Sequence, residues 1–248
     1  MKNKLKKLII KLRPVEWLIK RLLPYWVQLR LFIILFEPEV KILGKLIKKY
    51  GKGDTAIDIG ANHGIFTYFL SKKCKYVQSF EPNPLPYKLL KFKTRKTKNI
   101  FTHNIGLSSS SGVMSMQIPL DSNGKQISTR GTLSMCDGSK NCEKIEVDVK
   151  TLDEFNFTDV TFIKIDVEGF ENSVLDGAAA TIQNNKPIIF IETESCSIIN
   201  RIIELGYNCF YYDRIIKPLE DNRQIPVVNN KNVYNFIFIN ESQMSGIN

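Results

Sequence analysis

The sequence predicts an α/β fold: a mostly parallel sheet with helices on both faces, a β excursion and an N-terminal helical arm. Three observations carry this. Residues 55–74, TAIDIGANHGIFTYFLSKKC, run from a short apolar strand through a glycine turn into residues at helical spacing. Residues 162–171, FIKIDVEGFE, repeat that order of strand, acidic turn and helix. The chain has 248 residues, enough for one such domain with an appendage.

In chain order, the basic arm comes first. Residues 1–30 carry nine Lys or Arg against Glu16 alone, so +8 of the formal net charge of +10 sits there and +2 remains for the rest. Leu5, Leu8, Ile9 and Leu12 recur at helical spacing between lysines, and Val15, Leu18, Ile19, Leu22 and Leu23 do so after Pro14. Pro24, Tyr25 and Trp26 follow. Residues 1–35 are therefore expected to form a basic amphipathic arm. It either lies on an anionic membrane surface or packs its apolar face on the body or a second subunit. Arg30 and Glu37 bracket an apolar run too short to span a bilayer. Lys11 and Arg13 interrupt any signal-peptide core, and no small-residue cleavage site follows. The near-neutral body, residues 36–248, speaks against nucleic acid as a partner.

A helix is expected over residues 36–50, closed by Gly51 and Gly53. The strand–turn–helix of residues 55–74 follows, then a strand with Glu81 at its end. Pro84 and Pro86 suit the first turn of a helix that carries Leu89, Leu90 and Phe92 inward. Residues 100–107 read as a third strand. Residues 108–150 change to short alternating strands, VMSMQI, STRGTLSM and KIEVDV, with residues 121–125 and 137–141 as tips. The α/β alternation then returns. A buried strand ends at Asp166, a helix runs from Glu171 to Thr181, and residues 187–192, PIIFIE, form another strand. A helix over residues 197–205 and two strands, 207–213 and 233–240, complete the chain.

The turn after the first strand holds Gly60, Ala61, Asn62 and Gly64. A helix opening straight off a strand leaves backbone N–H groups pointing above the strand end. Asp58 precedes the turn; its charge would repel a pyrophosphate and suits a ligand with a positive centre. Glu81 lies 21 residues after Gly60, the position from which an acidic side chain takes both hydroxyls of a ribose. The order D-x-G-x-N-x-G is not the G-x-G-x-x-G of dinucleotide binders. A ribose plus a cationic amino-acid end describes S-adenosylmethionine better than NAD. Pro82, Asn104 and Gly106, at neighbouring strand ends, complete the expected cofactor-binding set.

The segments IDIGANHG, FEPNP, TLDEF, IKIDVEGFE, VLDGA and PIIFIE occur in this order, and over roughly residues 36–240 the chain resembles the FkbM-type S-adenosylmethionine-dependent methyltransferases. The resemblance implies methyl transfer from that cofactor, usually to a hydroxyl oxygen of a sugar, glycan or polyketide-like acceptor. It implies the class I methyltransferase fold, a Rossmann-like sheet of seven strands, six parallel and one antiparallel. By resemblance Asp58, Gly60, Asn62, Gly64 and Glu81 match cofactor-binding positions, and Asp166, Glu168 and Gly169 match the acceptor-side motif. The arm falls outside it.

Transfer of an activated methyl asks the protein to align an acceptor oxygen and take its proton. Glu168 is the first candidate base, with Asp166, Lys164 and His63 behind it. Lys164 lies two residues before Asp166 on one strand, so the two share a face; it either pairs with a buried carboxylate or serves as base when desolvated. Asp166 and Glu168 could instead cap the following helix. Asp166 and Glu192 end strands expected to be neighbours, where Mg²⁺ could find two carboxylates, but no third is evident and a metal-free site is favoured. Five cysteines without a C-x-x-C pair argue against zinc and fit a reduced, cytoplasmic chain, peripheral on a membrane if the arm docks there; Cys136 and Cys142 would pair only in an oxidising compartment. Transfer to nitrogen or nucleic acid is the weaker enzymatic reading, since no [DNS]-P-P-[YFW] tetrapeptide is present. A non-enzymatic, membrane-docked adaptor would not need Asp58, Glu81 and Asp166 together.

Overall fold

A computed structural model describes residues 38–124, 126, 141–213, 215–228 and 231–244. The expected amphipathic arm, the strand STRGTLSM, the tip at 137–140 and Cys136 lie outside the described residues. The chain divides into two units, Met1–Lys45 and Leu46–Asn248. Of the first, only residues 38–45 are described, the opening of helix α1 (Pro38–Tyr50).

The second unit is built on strands β1 (Thr55–Ile59), β2 (Tyr76–Phe80) and β3 (Ile100–His103). Helices α2 (Ile65–Leu70) and α3 (Pro84–Thr94) connect them. The chain then makes strands β4 (Gly106–Leu107), β5 (Gly112–Pro119) and β6 (Cys142–Lys150), and re-enters the main sheet as β7 (Val160–Ile165). Helices α4 (Glu171–Asp176) and α5 (Ala179–Asn185), strand β8 (Ile188–Glu192) and helix α6 (Cys196–Glu204) follow. Strands β9 (Tyr207–Asp213), β10 (Ile215–Pro218), β11 (Val227–Val228), β12 (Lys231–Asn232) and β13 (Asn235–Asn240), then helix α7 (Glu241–Met244), complete it.

The main sheet has the order β10-β9-β13-β8-β7-β1-β2-β3. Its central strands are parallel, β13 runs antiparallel to both neighbours, and β10 pairs antiparallel on the edge of β9. That is eight strands where the resemblance implied seven. The addition is β10, formed because the chain folds straight back on β9 after Asp213. Every residue of β1 and β7 is buried, as a parallel strand covered on both faces requires. Successive strands move outward from β1 to β2 and β3, then the order reverses and β7 joins the other side of β1. Ligands of open α/β sheets bind outside the carboxyl ends of the strands at such a reversal.

Three expected elements differ. The third strand splits at Asn104 and Ile105: Asn104 donates to Glu81 O and Pro82 O, both 2.9 Å, so the chain turns there and Gly106–Leu107 pairs with β6 instead. The helix expected over residues 171–181 is two short helices with Gly177 between them. Helix α3 buries Pro86, Leu90 and Thr94, not the expected trio; Leu89 and Phe92 are exposed. The β excursion is a three-stranded sheet, β4-β6-β5, with its own small core of Met116, Val147 and Val149.

Candidate active site

Gly60 closes β1 at the sheet's reversal. It sits at φ +73°, and a Cβ there would lie 1.8 Å from the carbonyl oxygen of Asp166, so the ends of β1 and β7 approach closely only because this residue is glycine. Gly64 sits at φ +83°, a left-handed conformation that strains other residues, and a Cβ there would also press on Leu90 Cδ1 of α3, at 2.6 Å.

The turn offers fewer free donors than its sequence suggests. Gly60 N–H and Ala61 N–H both donate to Phe80 O at 3.0 Å, and Gly64 N–H donates to Ala61 O at 2.9 Å. Asn62, in the left-handed region at φ 47°, donates its N–H to Glu81 Oε2 at 2.8 Å. These groups are engaged inside the protein, so the turn makes no cradle for a pyrophosphate.

Glu81 is instead the fixed point. Its Oε1 accepts from Asn83 N–H at 2.9 Å while Oε2 accepts from Asn62 N–H. The two bonds lock the carboxylate between the ends of β1 and β2, and each oxygen keeps a further acceptor site. Burial pushes its pKa up to about 7, against the pull of the two N–H groups.

Behind these loops lies a buried ionic network. Asp58 and Lys164 are register partners across β1 and β7, and Asp58 is fully buried. Thr67 donates to Asp58 Oδ2 at 2.6 Å, and Lys164 Nζ stands 3.6 Å from Oδ1. The same ammonium donates to Gly60 O at 3.1 Å, pairs with Asp166 Oδ2 at 3.0 Å and lies 5.3 Å from the Phe66 ring centroid. Burial alone would lower the Lys164 pKa, but Asp166 and Asp58 together raise it above its ordinary value, so it stays a cation. Of the two roles open to Lys164, the geometry provides the ion pair.

A cavity of about 250 Å³ opens above the strand ends. Gly60, Asn62, Glu81 and Pro82 line one side, and Ile105, Gly106, Leu107 and Met116 line another. Asp166, Glu168 and Glu192 also line it, and they line a second cavity, of about 680 Å³, with Glu171, Glu194 and Tyr234. Asp58, Ala61, Gly64, Asn104 and Lys164 do not line either. Asp58 is linked to the cleft through Lys164, which also pairs with Asp166; Asn104 shapes the Glu81–Pro82 turn.

The acidic turn after β7 is unusual in its backbone. Glu168 and Gly169 are successive left-handed residues, at φ 50° and 89°, a conformation that costs a non-glycine residue roughly 1–2 kcal/mol. At the helix start behind it, the N-cap residue Phe170 makes no side-chain cap, and the N–H of Gly169 goes to Glu171 Oε1 at 2.8 Å. Glu192, which in sequence stands out only as a Mg²⁺ ligand candidate, belongs with this turn. It shares both cavities with Asp166 and Glu168, and although its tip is exposed, lost hydration first and those two charges next push its pKa up to about 7. Its place at the end of a buried strand was the signal. Among the described residues no three His, Cys, Asp or Glu are arranged to hold a metal ion.

The profile of the methyltransferase FkbM domain matches residues 58–232, from β1 to β12. The chain belongs to the FkbM methyltransferase family. Among solved structures, this FkbM-family protein is similar to the methyltransferase FkbM of Methylobacillus flagellatus, at 18% identity and a TM-score of 0.51, covering 93% of this chain and 59% of that one. It therefore spans well under two thirds of that relative's length, and the likeness is one of fold. Looser similarity is found to an rRNA methylase from Streptococcus thermophilus, with 12% identity, 80% and 94% coverage and a TM-score of 0.48. A Streptococcus mutans protein in complex with SAH gives 12% identity, 81% and 97% coverage and a TM-score of 0.45. No curated protein gives a significant match.

Proposed function

We propose that the protein transfers the methyl group of S-adenosylmethionine to a hydroxyl oxygen of a sugar, glycan or related small acceptor. The observation that carries this reading is Glu81, held by two backbone N–H groups at the end of β2 and facing a cavity beside the sheet reversal. A carboxylate so fixed can accept from both hydroxyls of a ribose without moving. The apolar wall of Ile105, Leu107 and Met116 suits an adenine face, and the absence of a phosphate cradle in the turn fits a nucleoside without a pyrophosphate. The residues thus fit this cofactor.

When bound, the cofactor supplies an electrophilic methyl on a sulfonium. The protein's own task is to align the acceptor and remove its proton. The larger cavity, lined by Asp166, Glu168, Glu171, Glu192 and Glu194, takes the acceptor. Glu168 and Glu192 are the first carboxylates to receive the proton, with Asp166 behind them; Glu192, near 7, is matched to neutral pH. Lys164 holds Asp166 in place from behind. Five carboxylates around the acceptor would repel a phosphate backbone, which disfavours nucleic acid.

The test is a screen of free and lipid-linked sugars with a methyl-labelled donor. Label appearing on a sugar oxygen supports the proposal; label appearing only on nitrogen, or on nucleic acid, overturns it.

A further inference from the structure

Helix α3 presents a surface that the methyl-transfer reading does not use. Leu85, Leu89 and Phe92 recur at i, i+4 and i+7, so they form one stripe. They are 52%, 37% and 60% exposed, while Leu90 on the opposite face is fully buried. Large apolar side chains scattered singly need no explanation, but three on one helical face do. Arg95 stacks on Phe92, its guanidinium carbon 3.8 Å from the ring centroid, and Phe92 is exposed nonetheless.

The stripe is edged by cations. At 100° per residue, Lys88 and Arg95 fall on one side of it and Lys93 on the other. From residue 82 to residue 120 the chain has six Lys or Arg and no Asp or Glu. The near-neutral charge of the body as a whole hides this segregation. A second copy of α3, or the basic residues 1–30, would meet like charge here. An apolar ridge between rows of lysine and arginine complements a layer that is anionic at its surface and apolar just beneath.

We propose that the outer face of α3 docks on an anionic lipid bilayer, with Leu85, Leu89 and Phe92 entering the interface and the flanking cations meeting headgroups. The helix starts immediately after Glu81 and Pro82, which line the cofactor cavity, so docking holds the mouth of that cavity at the lipid surface. The inference does not depend on the methyl-transfer reading.

The full-length protein should partition onto vesicles of phosphatidylserine and phosphatidylcholine more strongly than onto phosphatidylcholine alone. Rising salt should weaken this, because exposed charges are screened beyond about 8 Å at 0.15 M. The variant Leu85→Ser, Leu89→Ser, Phe92→Ser should lose at least about tenfold in partitioning with its melting temperature retained, since these side chains are exposed. Lys88→Glu with Arg95→Glu should lose it as well. Three results overturn the proposal: unchanged partitioning of the serine variant; loss with the glutamate variant alone, which leaves a purely electrostatic contact; or a wild-type dimer that the serine variant makes monomeric, which makes a second copy the occupant.

Discussion

Lys164 Nζ and Asp166 Oδ2 are 3.0 Å apart at the end of β7, and the same lysine is 3.6 Å from the fully buried Asp58. One cation thus balances two carboxylates, one beneath the sheet reversal and one lining the cleft. Lys164→Met removes the cation and leaves Asp58 buried without compensation. Breaking a buried pair from one side costs about 3–5 kcal/mol. Denaturant unfolding should show a loss of that order, and Asp58→Asn added to Lys164→Met should restore part of it. A stability unchanged by Lys164→Met would mean that the network does not hold the strands together.

Glu81 and Glu192 both have pKa values raised from 4.5 to about 7. A carboxyl whose pKa is raised by folding contributes stability that is full below its unfolded value and is lost as pH rises through its folded one. The window is therefore pH 4.5 to 7. Across it, the melting temperature of Glu192→Gln should gain on that of the wild type, and above it the difference should level off. A difference that does not change with pH would show that the Glu192 carboxyl is not perturbed.

Base and helix-start roles separate at the acidic turn. Glu168→Gln and Glu192→Gln keep shape but cannot take a proton at neutral pH. On an acceptor found by the labelled-donor screen, turnover should fall by roughly 10²–10⁴ for the residue that serves as base, with S-adenosylhomocysteine affinity little changed. The variant that keeps near-normal turnover is not the base. If both do, the proton goes to Asp166 or directly to water.

Much of this site is legible in sequence. The strand–turn–helix order and the spacing from Gly60 to Glu81 locate the carboxylate that the structure fixes with two N–H bonds. Four things are not legible, each for a physical reason. Gly64 reads as a residue for close ligand approach, but what comes close is Leu90 of another helix, a tertiary contact with no local signal. Asp58 reads as facing a ligand, yet its strand is covered on both faces and a lysine 106 positions later in the chain lies in register with it. Helix α3 carries two apolar stripes, and periodicity alone cannot choose which one faces the sheet; Pro86, Leu90 and Thr94 do. The edge strand β10, of four residues, and the β11–β12 pair, of two residues each, are too short to show a period.

The most direct test of the cofactor reading is calorimetric titration of the wild type and Glu81→Ala with S-adenosylhomocysteine and, separately, NAD. The wild type should bind S-adenosylhomocysteine and not NAD, and more tightly as pH rises through 7, because an ionised Glu81 is the better ribose acceptor. Glu81→Ala should weaken binding by about 1.5–3 kcal/mol, the range for hydrogen bonds to a charged group. Equal affinity of wild type and variant, or preference for NAD, would contradict it.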